Sequence, residues 1–455
     1  MRLAILGGGG FRVPLVYRAL LADAGAPGAC HELVLHDTDP VRLRVIASVL
    51  AAQAAGVPDA PAVRIARDLD DALRGADFVF SAIRVGGTAG RVRDERVPLA
   101  EGVLGQETVG AGGVLYGLRT LPVAVAIAER VKALAPDAWV INFTNPAGMV
   151  TEAMSRVLGE RVIGICDSPV GLVRRAARAA GTDPDSPTFS YDYVGLNHLG
   201  WLRRMSDGGA VGAGDSGASG ASGGEDLLPG LLANAEALST FEEGKLFGAQ
   251  WLAALGSLPN EYLHYYYFER EALAAVRASA TTRGEFLDRQ QGAFFSSAAG
   301  RPADAYPLWD RTRLEREETY MAENRAATGG WQRDPHDLDG GGYDRVALAL
   351  MRAIARDERT TLILNVPNGT TVPSLDAEAI IEVACEVGAF GARPLPVAAP
   401  TEHQAGLMLT LKAVERAAIE AAATGSRTAA LRALALHPLV DSAAVAGRIL
   451  AAAQV

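Results

Sequence analysis

Four consecutive glycines, Gly7-Gly8-Gly9-Gly10, follow the run Arg2-Leu3-Ala4-Ile5-Leu6 and precede an apolar-periodic stretch over residues 15–22. Strand, glycine turn and helix in that order form a unit that sets backbone N–H groups and the positive end of a helix dipole against a pyrophosphate. The spacing is compact. Gly7 and Gly9 satisfy the first half of G-x-G-x-x-G, and Arg12 stands where the last glycine would be. An ordinary strand–helix turn is the competing reading. A second apolar run, Glu32–His36, ends at Asp37. A carboxylate there can accept both ribose hydroxyls of NAD and repel the 2′-phosphate of NADP. Asp37 can equally cap the turn before Pro40. The residues expected at a dinucleotide are therefore Gly7, Gly8, Gly9, Gly10, Phe11 and Asp37.

Further short apolar runs fall at residues 62–66, 78–81, 139–142 and 162–165, with helical patterns at 40–55, 121–134 and 147–157. Strands alternating with helices predict an α/β fold whose N-terminal part, residues 1–170, is a doubly wound parallel sheet of the Rossmann type. Residues 171–455 read as a mixed, mostly helical α+β domain for substrate, metal and oligomerisation. It has an extended aromatic segment at 189–194, one clear apolar strand at 361–365 and alanine-rich helices over 402–455. Residues 207–224, rich in Gly, Ser and Ala, read as a flexible surface loop.

Composition narrows the function. The 455 residues are 49% hydrophobic and 21% charged, which is globular composition. The formal net charge of −10 argues against non-specific nucleic-acid binding, which needs a basic face. Three cysteines, Cys30, Cys166 and Cys385, imply no disulfide framework and suit a reducing cytoplasm. No stretch approaches the roughly 18 uninterrupted apolar residues of a membrane span. A cytoplasmic enzyme with a small-molecule substrate, and with no nucleic-acid or membrane partner, is the expectation.

Four segments concentrate polar groups among apolar sequence: 84–113, Asn142-Phe143-Thr144-Asn145-Pro146, Ile165-Cys166-Asp167-Ser168-Pro169 and 195–201. In a doubly wound sheet, loops after the C-terminal strand ends line the ligand crevice, and the middle two follow predicted strands. Cys166 and His198 do not match structural zinc, which has four protein ligands. Two ligands with open positions would suit a substrate-binding divalent metal; a buried cysteine and a hydrogen-bonded histidine are the alternative. Tyr262 lies in a tyrosine-rich stretch where most rings pack. Arg91 sits among Arg84, Arg93 and Arg96 as surface charge or anion ligand. Glu107 could cap a glycine-rich turn, and Asn145 could form a turn before Pro146.

The order GGGG, HDTD, RVRDERVPLAEGVLGQETVGAGG, NFTNPAG, ICDSP, GLNHLGW and LPNEYLHYYYF resembles glycoside hydrolase family 4 over nearly the whole chain. These are the NAD- and metal-dependent 6-phospho-glycosidases and α-galactosidases, which depart from two-carboxylate glycosidase chemistry. The resemblance implies that Cys166 and His198 bind a divalent cation, usually manganese. It implies Asp167 as general acid, Tyr262 as general base and Glu107 as the group raising the basicity of that tyrosine. Arg91, Asn145 and Arg283 would contact the sugar or its phosphate. The implied cycle oxidises carbon 3 with NAD, eliminates the aglycone after loss of the carbon 2 proton, adds water and returns the hydride. The string looks most like the 6-phospho-β-glucosidases, acting on phosphorylated disaccharides as a homodimer or homotetramer. A 6-phospho-α-glucosidase or α-galactosidase of the same family is the alternative. An NAD-dependent hydroxyacid dehydrogenase, which would consume NAD stoichiometrically, and a non-catalytic NAD-sensing module are the others.

Overall fold

In a computed structural model, residues 1–208, 224–334 and 342–453 are described. Most of the Gly/Ser-rich segment therefore lies outside the described residues. The parallel strands are β1 (Arg2–Leu6), β2 (Glu32–His36), β3 (Ala62–Ile65), β4 (Phe78–Ser81), β5 (Trp139–Asn142) and β6 (Val162–Gly164). Their spatial order is β3-β2-β1-β4-β5-β6, the doubly wound dinucleotide-binding order. The order reverses between β1 and β4, so the crevice opens where the glycine turn leaves β1.

Side-chain alternation explains why these strands read as unbroken apolar runs. Leu3, Ile5, Leu33, Leu35, Phe78, Phe80, Ile141 and Ile163 enter the core on one face. Ala4, Leu6, Val34, Val79, Val140 and Val162 enter the core on the other. Helices cover both faces. The helix Pro40–Ala54 is set by Asp39, whose Oδ1 accepts from the N–H groups of Val41 and Arg42 at 2.9 and 3.0 Å. The helix Gly110–Leu134 is long and apolar enough to cross a membrane by length and composition, but 72% of its apolar window is buried inside the protein.

The sheet does not stop at β6. The strands β7 (Ser190–Leu196), β8 (Leu199–Ser206), β9 (Leu258–Pro259), β10 (Thr360–Pro367), β11 (Ile380–Gly388) and β12 (Gly391–Pro394) continue it. β10 joins β6 antiparallel at Asn365 and Gly164, and β11, β7, β8 and β9 follow in antiparallel pairings. The sequence reading held one apolar strand and an extended segment in this half. It lacked β8, β9, β11 and β12. β11, Ile380-Ile381-Glu382-Val383-Ala384-Cys385-Glu386-Val387-Gly388, carries two glutamates that break the apolar pattern. Glu382 is fully buried nonetheless, because Tyr193, Asn197 and Asn365 donate to it at 3.0–3.1 Å. Residues 87–100 form a helix, Gly87–Ala100, that has no apolar stripe, because its inward face is charged: Arg91, Asp94 and Glu95 are buried.

Candidate active site

The glycine turn is built as its position requires. Gly7 has φ +85°, and a Cβ there would collide with the Ala82 carbonyl. The N–H groups of Gly7 and Gly8 donate to the His36 carbonyl at 2.9 and 2.8 Å. Asp37 stands beside the turn with both oxygens engaged. Oδ2 accepts from Gly9 N–H at 2.9 Å and Oδ1 from Asp39 N–H at 3.0 Å. Two side chains from the C-terminal half tie down the end of the turn. Trp309 Nε1 donates to the Phe11 carbonyl, and Tyr343 Oη to the Arg12 carbonyl, both at 2.8 Å.

A cavity of about 920 Å³ runs from this turn across the C-terminal ends of β4, β5 and β6. Its lining includes Gly7, Gly10, Phe11, Arg91, Glu107, Asn145, Cys166, Asp167, His198 and Tyr262. Gly8, Gly9, Asp37 and Arg283 are not among its lining residues. Loops from β5 and β6 place Asn145, Cys166 and Asp167. The hairpin between β7 and β8 places His198, which takes a left-handed φ of +63° at the turn. The 3-10 turn Glu261–Leu263 after β9 places Tyr262.

These pieces interlock. Ser168 Oγ lies 3.3 Å from Cys166 Sγ and accepts from Asn260 Nδ2 at 2.9 Å. Asn260 Oδ1 in turn accepts from Tyr262 N–H at 3.1 Å. The rings of His198 and Tyr262 stack with centroids 3.7 Å apart. Asp167 lies 3.9 Å from Arg12, and Arg12 faces Glu317 on its other side at 3.8 Å.

Burial holds the His198 imidazole neutral, its pKa lowered to about 3, so a ring nitrogen keeps a free lone pair. Among the described residues no hydrogen bond reaches that ring, and no three His, Cys, Asp or Glu side chains form a protein-only cage. Burial, Glu382 and Asp167 push the Cys166 thiol well up. A soft thiol and a neutral imidazole on one cavity wall fit a divalent cation that keeps open positions for substrate oxygens.

Glu107 is fixed by two arginines, Arg84 and Arg91, each at 2.7 Å. Burial opposes its ionisation, yet the guanidinium groups outweigh it and bring the carboxyl down to about 2. The Tyr262 hydroxyl meets Tyr320 instead, at 3.2 Å. Arg283 donates to Thr319 Oγ1 and to the Arg316 carbonyl, both at 2.8 Å. Arg316 itself lines the cavity. Burial and the cations of Arg12, Arg283 and Arg91 bring it down to about 9, against Glu317. Sequence reasoning missed Ser168, Arg316, Glu261 and Tyr320. Glu261 stands inside the quoted motif LPNEYLHYYYF, directly before Tyr262, and Tyr320 stands in an uninformative charged stretch.

Residues 2–182 match the family described as family 4 glycosyl hydrolase, and residues 193–440 match its C-terminal domain. The chain belongs to glycoside hydrolase family 4. A probable 6-phospho-β-glucosidase of Bacillus subtilis is 33% identical over 87% of this chain and 82% of its own length. A 6-phospho-α-glucosidase of Lacticaseibacillus paracasei is 30% identical over 98% of this chain and 95% of its own. Among solved structures, the 6-phospho-β-glucosidase of Thermotoga maritima with manganese, NAD⁺ and glucose 6-phosphate superposes with a TM-score of 0.79 at 24% identity. That match covers 100% of this chain and 97% of the other. The family 4 chain thus shares the fold of that enzyme throughout.

Proposed function

We propose that this family 4 enzyme is a phospho-glucosidase that hydrolyses 6-phospho-β-glucosides, using NAD and a divalent metal, manganese in preference. One observation carries the reading: Cys166, Asp167, His198 and Tyr262 line the same cavity as the Gly7–Phe11 turn. An ordinary glycosidase needs no dinucleotide beside its acid and base. Bound at the turn and at Cys166 and His198, NAD would accept a hydride from sugar carbon 3 and the metal would polarise the sugar oxygens.

The chain's own groups do the rest. Tyr262 takes the carbon 2 proton, and Asp167 gives one to the departing aglycone. Arg91 and Asn145 orient the sugar. Arg316, whose backbone carbonyl accepts from Arg283, meets the phosphate: a half-buried guanidinium crowded by cations gains when an anion enters. Asp37 favours NAD, although its oxygens also brace the turn. Glu107 makes no hydrogen bond to Tyr262 and acts on it through its own negative charge, which makes the phenolate more basic. The division near residue 170, a homo-oligomer and a cytoplasmic site complete the reading.

The β preference is supported by the motif string and by relatives such as that of Bacillus subtilis. A 6-phospho-α-glucosidase is the second reading, favoured by the near full-length match to the Lacticaseibacillus paracasei enzyme. Nitrophenyl α- and β-glucosides and galactosides, each with and without 6-phosphate, decide between them. Hydrolysis of the 6-phospho-β-glucoside with no net NADH is expected. Turnover of the α-anomer alone would overturn the β assignment, and stoichiometric NADH would point to a dehydrogenase.

A further inference from the structure

Tyr262 heads a chain of hydroxyl groups. Its Oη lies 3.2 Å from that of Tyr320, and Tyr320 donates onward to Glu261 Oε1 at 2.6 Å. All three residues line the cavity. Glu261 is only 6% exposed. Its flanking acids are already paired, Glu242 with Arg333 at 2.6 Å and Glu243 with Arg175 at 3.0 Å.

The Tyr262 hydroxyl has one hydrogen-bonded outlet among the described residues, Tyr320 Oη at 3.2 Å. A phenol that keeps its proton can accept another only if its own proton leaves at the same time. The hydroxyl chain is such an outlet.

We propose that Tyr320 and Glu261 form a proton relay behind Tyr262, with Glu261 taking up one proton as Tyr262 takes that of carbon 2 and giving it back when the transfers reverse. This rests on the elimination reading above. The carbon 2–hydrogen bond breaks as the Tyr262 oxygen takes the proton. The proton formerly on Tyr262 passes to the Tyr320 oxygen, and that of Tyr320 passes to the Glu261 carboxylate. The carbon–hydrogen electron pair stays with the sugar, enters the carbon 1–carbon 2 bond and expels the aglycone. Oxidation at carbon 3 is left to the nicotinamide dinucleotide, so the relay itself moves no electrons off the sugar. When water adds, the three transfers reverse. Tyr262 never changes charge. Tyr320 and Glu261 act through Tyr262 and are positioning residues.

The carboxylate at the end of the chain suits the task. Burial pushes Glu261 up to about 7 with help from Glu243 and Glu242, against Arg175 and the Tyr320 hydrogen bond. A proton acceptor is most effective when its pKa lies near the working pH. Arg333, paired with Glu242 and Glu317, and Arg325 are further charges at this wall.

The test uses the enzyme loaded with NAD and manganese, and whichever anomer of 4-nitrophenyl 6-phosphoglucoside it hydrolyses. Tyr320→Phe is expected to leave KM within about twofold and lower kcat about 10²-fold. It should also enlarge the isotope effect of deuterium at carbon 2. Glu261→Gln is expected to do the same and to abolish the fall in kcat as pH drops below about 7. A second measurement needs no turnover. The infrared carbonyl stretch of a protonated carboxyl, titrating near neutrality in the unaltered protein, should lose one component in Glu261→Gln and shift in Tyr320→Phe. Unchanged kcat and isotope effect in Tyr320→Phe, an acid limb persisting in Glu261→Gln, or no such infrared component would overturn the relay. Failure of the underlying reading looks different: the unaltered enzyme would leave carbon 2 free of deuterium in heavy water, or Tyr262→Phe would still exchange it.

Discussion

The imidazole of His198 lies flat on the phenol ring of Tyr262, with centroids 3.7 Å apart and planes at 13°. The proposed metal ligand thus supports the proposed base directly, and a change at either should be felt by the other. Tyr262→Phe keeps the stacked ring and deletes only the hydroxyl. It should cost about 1 kcal/mol of stability or less and reduce kcat by roughly 10²–10⁴. Thermal melts and turnover of the same preparation check both figures. A large fall in Tm would show that the hydroxyl serves packing.

His198 holds a left-handed φ of +63°, which asparagine tolerates better than most residues. His198→Asn should therefore keep the β7–β8 turn while removing the ligand nitrogen. Manganese titrated into the unaltered protein by calorimetry should bind, and His198→Asn and Cys166→Ser should each weaken that binding at least tenfold. A chelator should abolish turnover of the unaltered enzyme and manganese should restore it. Undiminished manganese affinity in both variants would remove this pair as the metal site.

Glu107 gives a stability test with a definite sign. Its carboxyl is lowered to about 2 in the folded chain from an ordinary value of 4.5. The stabilisation is present above pH 4.5 and is lost as pH falls towards 2. The full effect is about 3 kcal/mol. Glu107→Gln should melt lower at neutral pH and lose less stability between pH 4.5 and 2. Parallel curves for the two proteins across that window would show that Arg84 and Arg91 do not hold the carboxylate as the geometry implies.

The parallel half of the fold was legible because β1, β2, β4, β5 and β6 are buried on both faces and their sequences show it. Of the antiparallel extension only β10 and part of β7 were, because β11 buries Glu382 on donors from β7, the β7–β8 turn and β10, which no local pattern discloses. The helix Gly87–Ala100 escaped for a related reason: its buried face pairs Arg91 with Glu95 and Glu107, and Asp94 with Arg119. For the candidate site, motif order brought out Cys166, Asp167, His198 and Tyr262, which share one cavity wall. It carried no information on Arg316 or Tyr320, which lie in the charged stretch 311–320 and reach the cavity only through tertiary packing.

Asp167 offers the most selective probe of the chemistry. Its side chain is 33% exposed, and the nearest guanidinium nitrogen of Arg12 is 3.9 Å away. An ion pair that long and that wet contributes less than about 1 kcal/mol, so Asp167→Asn should melt close to the unaltered protein. Its effect should fall on leaving-group departure. A sugar alkoxide needs a proton as it leaves, whereas nitrophenolate is stable without one. Asp167→Asn should therefore slow a 6-phosphorylated disaccharide about 10²-fold or more, and a nitrophenyl 6-phosphoglucoside only a few-fold. The ratio of the two losses is the measurement, because any general disturbance of NAD or metal binding would lower both rates alike. Equal losses on the two substrates would take the general-acid role away from Asp167.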